Sequence, residues 1–208
     1  MNTMSSVTAQ TSDGPVIEDR KDMIFHHASR VFAAKGYAGT KITDIAAAAN
    51  MSQGLLYRYF DSKERLFTEL VRASFERLNA SVSELEQMPL SAGRKIALAL
   101  EQVVGGMETD SAFAERVLLI AQATLSEGIP ETTKQLILRE RDKPYEAIAR
   151  IMAKGQEEGG IRPGSPEDLS LLFWTNIKGL ALHKVSFGSR FWVPDLELLI
   201  GFFVQCRD

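Results

Sequence analysis

The chain has little cysteine, few chain-breaking residues and no long apolar run. Cys206 is the only cysteine among 208 residues, so no internal disulfide can form, and no Cys/His spacing suggests a zinc site. No stretch reaches the ~18 apolar residues of a membrane span, and residues 1–16 lack the basic cluster and apolar core of a signal peptide. We therefore expect a cytoplasmic protein with no membrane partner, no metal and no other cofactor.

Sequence patterns for catalysis are also missing. The Gly-Gly pairs at 105 and 159 lack the surrounding motifs that cradle phosphates, and His183 has no evident catalytic partner in the sequence. His26 and His27 are adjacent on a predicted helix, where neighbouring side chains point about 100° apart and cannot jointly ligate one metal. The sequence therefore favours a protein that is not an enzyme.

Helix-breaking residues are sparse enough for a mostly helical protein. Only 7 prolines and 15 glycines interrupt the chain, and 45% of it is hydrophobic, which supplies a substantial core. Between the Gly and Pro breaks the pattern predicts helices at 18–35, 62–87, 91–108, 111–127 and 131–158. Pro144 should kink the last of these, because its ring removes a backbone hydrogen bond. A Ser/Thr-rich tail at 1–16 is expected to be disordered.

Charge is distributed unevenly around a net value of -3. Residues 17–65 contain eight Lys and Arg side chains against six Asp and Glu, whereas residues 66–208 contain 16 against 20. The basic excess therefore lies in the N-terminal part. It permits nucleic-acid binding there without establishing it.

Residues 37–67 predict two short helices joined by a tight turn and followed at once by a third helix. Thr43 is a candidate N-cap for the first short helix, because its hydroxyl can accept a bond from an orphaned amide. Asn50 tolerates the left-handed backbone of a tight helix exit, and Met51 follows as an apolar plug. Ser52 can then cap the second helix. This arrangement is typical of a helix-turn-helix unit that reads DNA.

The second short helix has an inward and an outward face. Leu56 and Phe60 lie four residues apart on the inward face. The outward residues Gln53, Gly54 and Arg58 are candidates for contact with base edges, since Gln suits adenine and Arg suits guanine. An alternative is that Arg58 pairs with a nearby acid, Asp61, on the surface.

Residues 20–67 resemble the N-terminal domain of the TetR/AcrR family of bacterial transcription regulators. The positions that match in order and in register are Gly36, Tyr37, Thr40, Thr43, Ile45, Ala46, Ala49, Ser52, Gly54, Leu56, Tyr57, Tyr59, Phe60, Lys63, Glu64, Leu66 and Phe67. The family commonly has Gly where Asn50 stands and Lys or a small polar residue where Gln53 stands. These departures leave the fold unchanged and the target sequence open.

The resemblance implies an all-α fold of about nine helices. A three-helix helix-turn-helix domain would occupy 17–67, and an effector-binding and dimerisation domain would occupy 68–208. The residues expected to contact the sugar-phosphate backbone are Thr40, Thr43, Ser52, Tyr57, Tyr59 and Lys63. Lys63 falls in the first turn of its helix, where a phosphate could also meet unpaired backbone amides.

The last two predicted helices, 167–185 and 195–206, are unusually apolar. The first has apolar residues on more than one side and so needs two packing partners. An ordinary core explains this pattern, and so does the intersubunit four-helix bundle that the resemblance implies. For a homodimer, the expected interface residues are Leu169, Phe173, Ile177, Leu180, Leu196, Leu199, Ile200 and Phe203.

The function expected from these features is DNA-binding transcriptional regulation, with repression relieved by a small apolar effector. Residue types suited to an apolar pocket with polar anchors are Met107, Phe113, Gln122, Trp174 and Asn176. The partners would be palindromic double-stranded operator DNA, the effector and a second copy of the chain. A nucleoid-associated or architectural DNA-binding protein without an effector is the alternative. The sequence pattern does not specify the effector or the operator, and it does not distinguish a repressor from an activator.

Overall fold

The computed structural model describes residues 14–110, 113–126 and 128–205, with side chains described from residue 20 onward. Within these ranges the chain forms ten α-helices and a 3-10 turn at Gly188–Arg190, and the extended pairing is a bridge between Ile161 and Val204. The α-helices are α1 (Gly14–Gly39), α2 (Ile42–Ala48), α3 (Gln53–Tyr59), α4 (Lys63–Gln87), α5 (Ala92–Thr109), α6 (Phe113–Leu125), α7 (Glu131–Glu140), α8 (Lys143–Glu157), α9 (Pro166–Phe187) and α10 (Leu196–Gly201). The prediction of an all-α fold is confirmed.

The N-terminal helix is longer than the sequence pattern predicts. It begins at Gly14 and continues to Gly39, with a kink at Gly36, whose φ is 68°. A glycine adopts that left-handed conformation without a steric penalty, so the predicted end at residue 35 marks the kink instead of the end of the helix. Residues 1–13, which hold most of the predicted tail, lie outside the described residues, as does Cys206.

The prediction of a single kinked helix at 131–158 is wrong, because α7 and α8 are separate helices. Pro144 lies in the first turn of α8, a position that tolerates proline because its amide would have no partner within the helix. The Pro144 carbonyl accepts a 3.2 Å hydrogen bond from Trp174 Nε1 on α9. This hydrogen bond joins the start of α8 to α9.

The hydrophobic core of the N-terminal helices, here the first core, continues into the rest of the chain. Ile24, Phe32, Leu56 and Phe60 are buried in it, as the sequence pattern predicts. The same cluster also includes Leu119 and Ala123 of α6, Ile129 of the following loop, and Leu136 and Ile137 of α7. The helix-turn-helix unit is consequently packed against α6 through α1, and the first core reaches α7 through α4.

The predicted dimer-interface residues are instead buried inside the chain. Five of them have 8% or less of their surface exposed and belong to a second core, which α4, α5, α8, α9 and α10 build: Leu169, Phe173, Ile177, Leu199 and Phe203. The other three, Leu180, Leu196 and Ile200, are partly buried against the same core. Five of the eight predicted residues therefore fill the chain's own interior, and the other three pack at its edge.

A different apolar face of α9 and α10 is open to solvent. It comprises Leu171, Leu172 and Leu182 of α9, Leu198 of α10 and Phe202, the residue that follows α10, each between 53% and 63% exposed. We call these five residues the open apolar face. α9 nevertheless packs against both α8 and α6, so the expectation that it needs two packing partners is confirmed within the single chain, and the exposed leucines lie on a further side.

The five predicted effector residues do not line one pocket. Met107 is buried in a small third cluster with Ala114, Leu118 and Ala181, and Phe113 packs against it. The other three are engaged elsewhere. Trp174 belongs to the second core, Gln122 donates to the Ala33 carbonyl, and Asn176 donates to the Leu172 carbonyl of its own helix.

Candidate nucleic-acid interface

The start of α2 is held by an acidic side chain. Lys41 is the N-cap residue, which corrects the assignment of that role to Thr43, and the Asp44 carboxylate accepts a 3.0 Å hydrogen bond from the Lys41 amide. Lys35 Nζ lies 3.1 Å from the same carboxylate. The backbone bond first, and then Lys35, lower the pKa of Asp44. Thr43 consequently sits exposed in the first turn of α2.

The turn between α2 and α3 has the predicted geometry. Asn50 has a φ of 51°, the left-handed conformation expected of it. Met51 is partly buried against the first core, and Ser52 Oγ accepts a 3.2 Å bond from the Leu55 amide as the N-cap of α3. These three predictions are confirmed, and together they fix the direction of α3.

The outward face of α3 is open. Leu56 and Phe60 are fully buried, whereas Gln53, Gly54 and Arg58 are exposed. The alternative pairing of Arg58 with Asp61 is not formed, because the Asp61 carboxylate accepts a 2.6 Å bond from Arg65 Nη1 instead. The three predicted base-contacting residues are therefore presented to solvent on one short, well-supported helix.

The expected phosphate-contacting residues divide by exposure. Ser52 and Tyr57 are exposed, like Thr43, and Tyr57 retains 41% of its surface. Tyr59 is half-buried against the first core. Thr40 is only 1% exposed and its hydroxyl donates a 2.7 Å bond to the Gly36 carbonyl. Thr40 therefore closes the end of α1, and its assignment as a phosphate contact is corrected.

Lys63 links α4 to the end of α1. Its ammonium donates to the Tyr37 carbonyl at 3.1 Å and to the Thr40 carbonyl at 3.0 Å, and it lies 4.4 Å from the centre of the Tyr37 ring. The Tyr37 carbonyl also accepts a 3.4 Å bond from the Thr40 amide, so Lys63 adds a second donor at the end of the kinked helix. An ammonium has three N–H donors, so one remains for a phosphate.

Tyr37 and Glu64 form a hydrogen-bonded pair beside Lys63, which the sequence reasoning missed. Tyr37 Oη donates a 3.0 Å bond to Glu64 Oε1. Burial, followed by this bond, raises the pKa of Tyr37 to about 12. The backbone amide of Glu64 itself and then the Tyr37 hydroxyl lower the pKa of Glu64. Both residues were among the matched positions, and that was the only signal for them.

Polar contacts tie the helix-turn-helix unit to the remainder of the chain. Gln122 Nε2 of α6 donates a 3.1 Å bond to the Ala33 carbonyl of α1. The Thr68 and Thr133 hydroxyls lie 2.7 Å apart between α4 and α7. A displacement of α6 would therefore be felt directly at α1, which packs behind the α2–α3 pair.

Across the part of the chain with described coordinates, no helix has both the length and the hydrophobicity to cross a membrane. Within those same residues, no group of three or more His, Cys, Asp or Glu side chains is arranged to hold a metal ion.

Comparison with known proteins places this interface in a family context. The model for "Bacterial regulatory proteins, tetR family" matches residues 24–70. The chain is 41% identical over 59 residues to the biofilm operon icaADBC HTH-type negative transcriptional regulator IcaR of Staphylococcus aureus. This alignment covers 28% of this chain and 32% of that protein. The chain thus matches about a third of the length of that curated relative.

Solved structures share the fold over nearly the whole chain. A TetR-family transcriptional regulator from Agrobacterium tumefaciens superposes with a TM-score of 0.71 at 16% identity, covering 91% of this chain and all of the other. AibR, in a structure described as a complex with isovaleryl coenzyme A and operator DNA, superposes with a TM-score of 0.66 at 19% identity. That alignment covers 88% of this chain and 97% of AibR. At these identities the likeness concerns the fold.

Proposed function

Because the chain is a member of the TetR family of bacterial regulatory proteins, we propose that it binds a palindromic operator and represses transcription until a small apolar effector releases it. The observation that carries the proposal is the outward face of α3. Gln53 and Arg58 are exposed on it while Leu56 anchors the helix from behind.

Base reading would use the two long polar side chains of α3. In the major groove, Gln pairs bidentately with adenine and Arg with guanine. Gly54 lies between them without a side chain, so the helix can approach the base edges closely. We propose that these three residues specify the sequence.

Phosphate anchoring would come from residues around the α3 helix. Thr43, Ser52 and Tyr57 are exposed and carry hydroxyl donors, and Lys63 retains one ammonium donor beside the start of α4. Tyr59 has a smaller exposed surface because it packs on the first core. Contacts of this kind fix the position of the protein on DNA without reading the sequence.

A second copy of the chain would cover the open apolar face. Monomers rarely leave several large apolar side chains this exposed on neighbouring segments without using them. Two-fold pairing of α9 and α10 through Leu171, Leu172, Leu182, Leu198 and Phe202 would make a four-helix interface. That pairing would also set two α3 helices one helical turn of DNA apart, ~34 Å, or a multiple of it. We propose the open apolar face as the dimer interface, in place of the mostly buried residues predicted from the sequence.

Effector control would act through α6. This helix shares the third cluster with α5 and α9, and it shares the first core with the helix-turn-helix unit. An apolar molecule that separates α6 from α9 at Met107 and Phe113 would shift the Gln122 contact with α1. Such a ligand releases DNA only if it prefers the conformation in which the two α3 helices are wrongly spaced. The acyl-coenzyme A in the AibR complex supports an acyl-chain effector.

Selection of bound fragments from the host genome tests the proposal. The expected result is a set of fragments that share one palindromic motif near promoters, and that the Gln53→Ala/Arg58→Ala double variant no longer enriches. Enrichment of fragments without a shared motif would contradict sequence-specific regulation and favour an architectural DNA-binding protein. The Gln102→Ala variant, changed at an exposed position of α5, provides the matched control.

A further inference from the structure

α6 is held between two parts of the fold. Phe113, Ala114 and Leu118 face the third cluster, which this helix shares with α5 and α9. Leu119 and Ala123 face the first core, which also contains residues of α1. At about 100° per residue the two sets lie on nearly opposite sides of the helix. A movement of α6 away from α9 therefore carries it towards the helices of the first core.

Room for an effector in the third cluster has to come from such a movement. A Cβ placed on Gly106 of α5 would lie 2.9 Å from the Phe113 ring, so the start of α6 rests directly on the α5 backbone. Met107 and Ala181 are 1% and 0% exposed in the same cluster. A molecule that enters there displaces α6, because an interior packed to this density does not absorb extra volume in place.

Two polar contacts join α6 to α1, and only one of them is closed. Gln122 Nε2 donates a 3.1 Å hydrogen bond to the Ala33 carbonyl. Glu115 lies about two turns earlier on the same side of α6 and faces Arg30, but Arg30 Nε is 4.0 Å from Glu115 Oε1. That separation exceeds the roughly 2.7–3.2 Å of an N–H···O hydrogen bond.

The Glu115 carboxylate has too few donors in this conformation. Its Oε2 is buried and accepts no hydrogen bond from the residues that the structure describes. The adjacent cation, Arg116, pairs with Asp110 instead. A carboxylate buried without donors is costly, and the guanidinium of Arg30 can supply two of them in parallel. The Arg30 side chain is 52% exposed, so few packing contacts oppose its movement.

We propose that Arg30 and Glu115 form a switchable ion pair between α1 and α6, open in this conformation and closed when α6 moves away from α9. Closure needs an approach of about 1 Å, which is within the ~1–2 Å helix shifts of known conformational switches. The closed ion pair would stabilise the displaced position of α6 and so favour the state that releases DNA. The inference rests on the effector control proposed above and names the contact that would sustain it.

Overfilling the third cluster imitates an effector without requiring its identity. Ala181→Leu enlarges a side chain of α9 at its contact with α6. The coupling between Arg30 and Glu115 is then measured by a double-mutant cycle of Arg30→Met and Glu115→Gln in chemical denaturation. In the parent it should change the unfolding equilibrium constant by no more than about fivefold, as for exposed ion pairs. In the Ala181→Leu background it should be at least about fivefold larger, and equal coupling in the two backgrounds would overturn the proposal.

The ion pair of Lys21 with Glu69 provides the matched control. It also joins α1 to another helix, α4, at 3.8 Å and with comparable exposure, but it does not involve α6. Its coupling, from the cycle of Lys21→Met and Glu69→Gln, should be the same in both backgrounds. An increase as large as that of Arg30 with Glu115 would show a general effect of Ala181→Leu and would contradict a contact specific to α6.

A second variant covers the case in which Ala181→Leu does not fold. Gly106→Ala displaces Phe113 from the α5 side, so it should raise the same coupling between Arg30 and Glu115. If Gly106→Ala leaves that coupling at the parent value, the proposal is overturned.

Operator binding separates the ion pair from the proposed effector control. Ala181→Leu should weaken operator binding, and the addition of Glu115→Gln should restore part of it, because the displaced position of α6 then loses its ion pair. A coupling that rises while operator binding stays at the parent level would support the ion pair and contradict the effector control. Weakened binding that Glu115→Gln does not restore, together with an unchanged coupling, would overturn the ion pair and leave the effector control in place.

Discussion

Leu182→Glu is predicted to convert a dimer of this chain into a folded monomer. Leu182 lies in the open apolar face of α9 and is 57% exposed in the single chain, so the substitution leaves the chain's own core intact. Leu199→Glu is predicted to act differently. Leu199 is 4% exposed within the second core, and a carboxylate there should unfold the chain before any question of assembly arises.

The size of the Leu182 effect follows from burial and two-fold symmetry. Complete burial of a leucine side chain contributes ~1.5–3 kcal/mol, so burying the part exposed in the monomer contributes ~1 kcal/mol per copy. A carboxylate in a dry interface costs a further ~2 kcal/mol or more. Each loss occurs twice in a symmetric dimer, which weakens it by ~6 kcal/mol, or ~10⁴-fold in Kd.

Sedimentation over a range of concentrations, together with circular dichroism, measures assembly and folding separately. The expected result is a helical monomer for Leu182→Glu and an unfolded or aggregated chain for Leu199→Glu. Leu125→Glu is the matched control, since Leu125 is 84% exposed at the end of α6, outside the open apolar face. A Leu182→Glu protein that dimerises with the parent Kd would refute the assignment of that face.

Three further variants test the site and the fold. Lys63→Met should weaken binding to all DNA sequences alike, and the slope of log K against log salt should fall by ~0.9 per lost phosphate contact in each subunit. An unchanged slope would mean that Lys63 only stabilises the end of α1 and does not contact DNA. Because the pKa of Tyr37 is raised from 10.0 to about 12, its contribution to stability is complete below pH 10 and lost as the pH rises towards 12. The fall in Tm between pH 10 and pH 12 should therefore be smaller in Tyr37→Phe than in the parent. Identical profiles of Tm against pH in the two proteins would show that ionisation of Tyr37 does not cause the fall. Gly155→Ala should lower the free energy of unfolding by ~1–3 kcal/mol, because the new Cβ would overlap the Ile161 side chain. A Cβ added at Gly105 would have no neighbouring atom within 4 Å, so Gly105→Ala should leave that free energy in place. Chemical denaturation measures both variants.

The turn that orients α3 could be predicted from the sequence because its geometry depends on neighbouring residues. Asn50 adopts the left-handed backbone and Ser52 caps the helix through contacts three residues away or fewer. Thr43 shows the limit of this reasoning. Asp44 competes for the same helix start, and its carboxylate accepts from the Lys41 amide, so the cap lies two residues closer to the N-terminus.

Which apolar stripe faces the chain's own core could not be predicted from periodicity. α9 has apolar residues on both sides, and a helical period identifies stripes without identifying their partners. Phe173 fills the interior at 1% exposure, whereas its neighbour Leu172 remains 53% exposed. The positions of α5, α6 and α8, against which α9 packs, distinguish the two sides.

The contacts of Lys63 and of the residues predicted for an effector pocket could not be predicted locally, because they depend on distant parts of the chain. The Lys63 ammonium is directed by carbonyls of Tyr37 and Thr40, which lie 26 and 23 residues away. Trp174 and Gln122 have residue types suited to a pocket, but each is committed to a carbonyl on another helix. Composition identifies such residues as candidates and does not show what they contact.

The most direct test of the central claim is a titration of the parent and its α3 variants against operator and scrambled DNA at one salt concentration. Gln53→Ala and Arg58→Ala should each narrow the difference between specific and non-specific binding free energy by ~1–3 kcal/mol, the worth of a bidentate base contact. Gln102→Ala should leave that difference unchanged. Full discrimination retained by both α3 variants would contradict the account, because the outward face of α3 would then not read the operator.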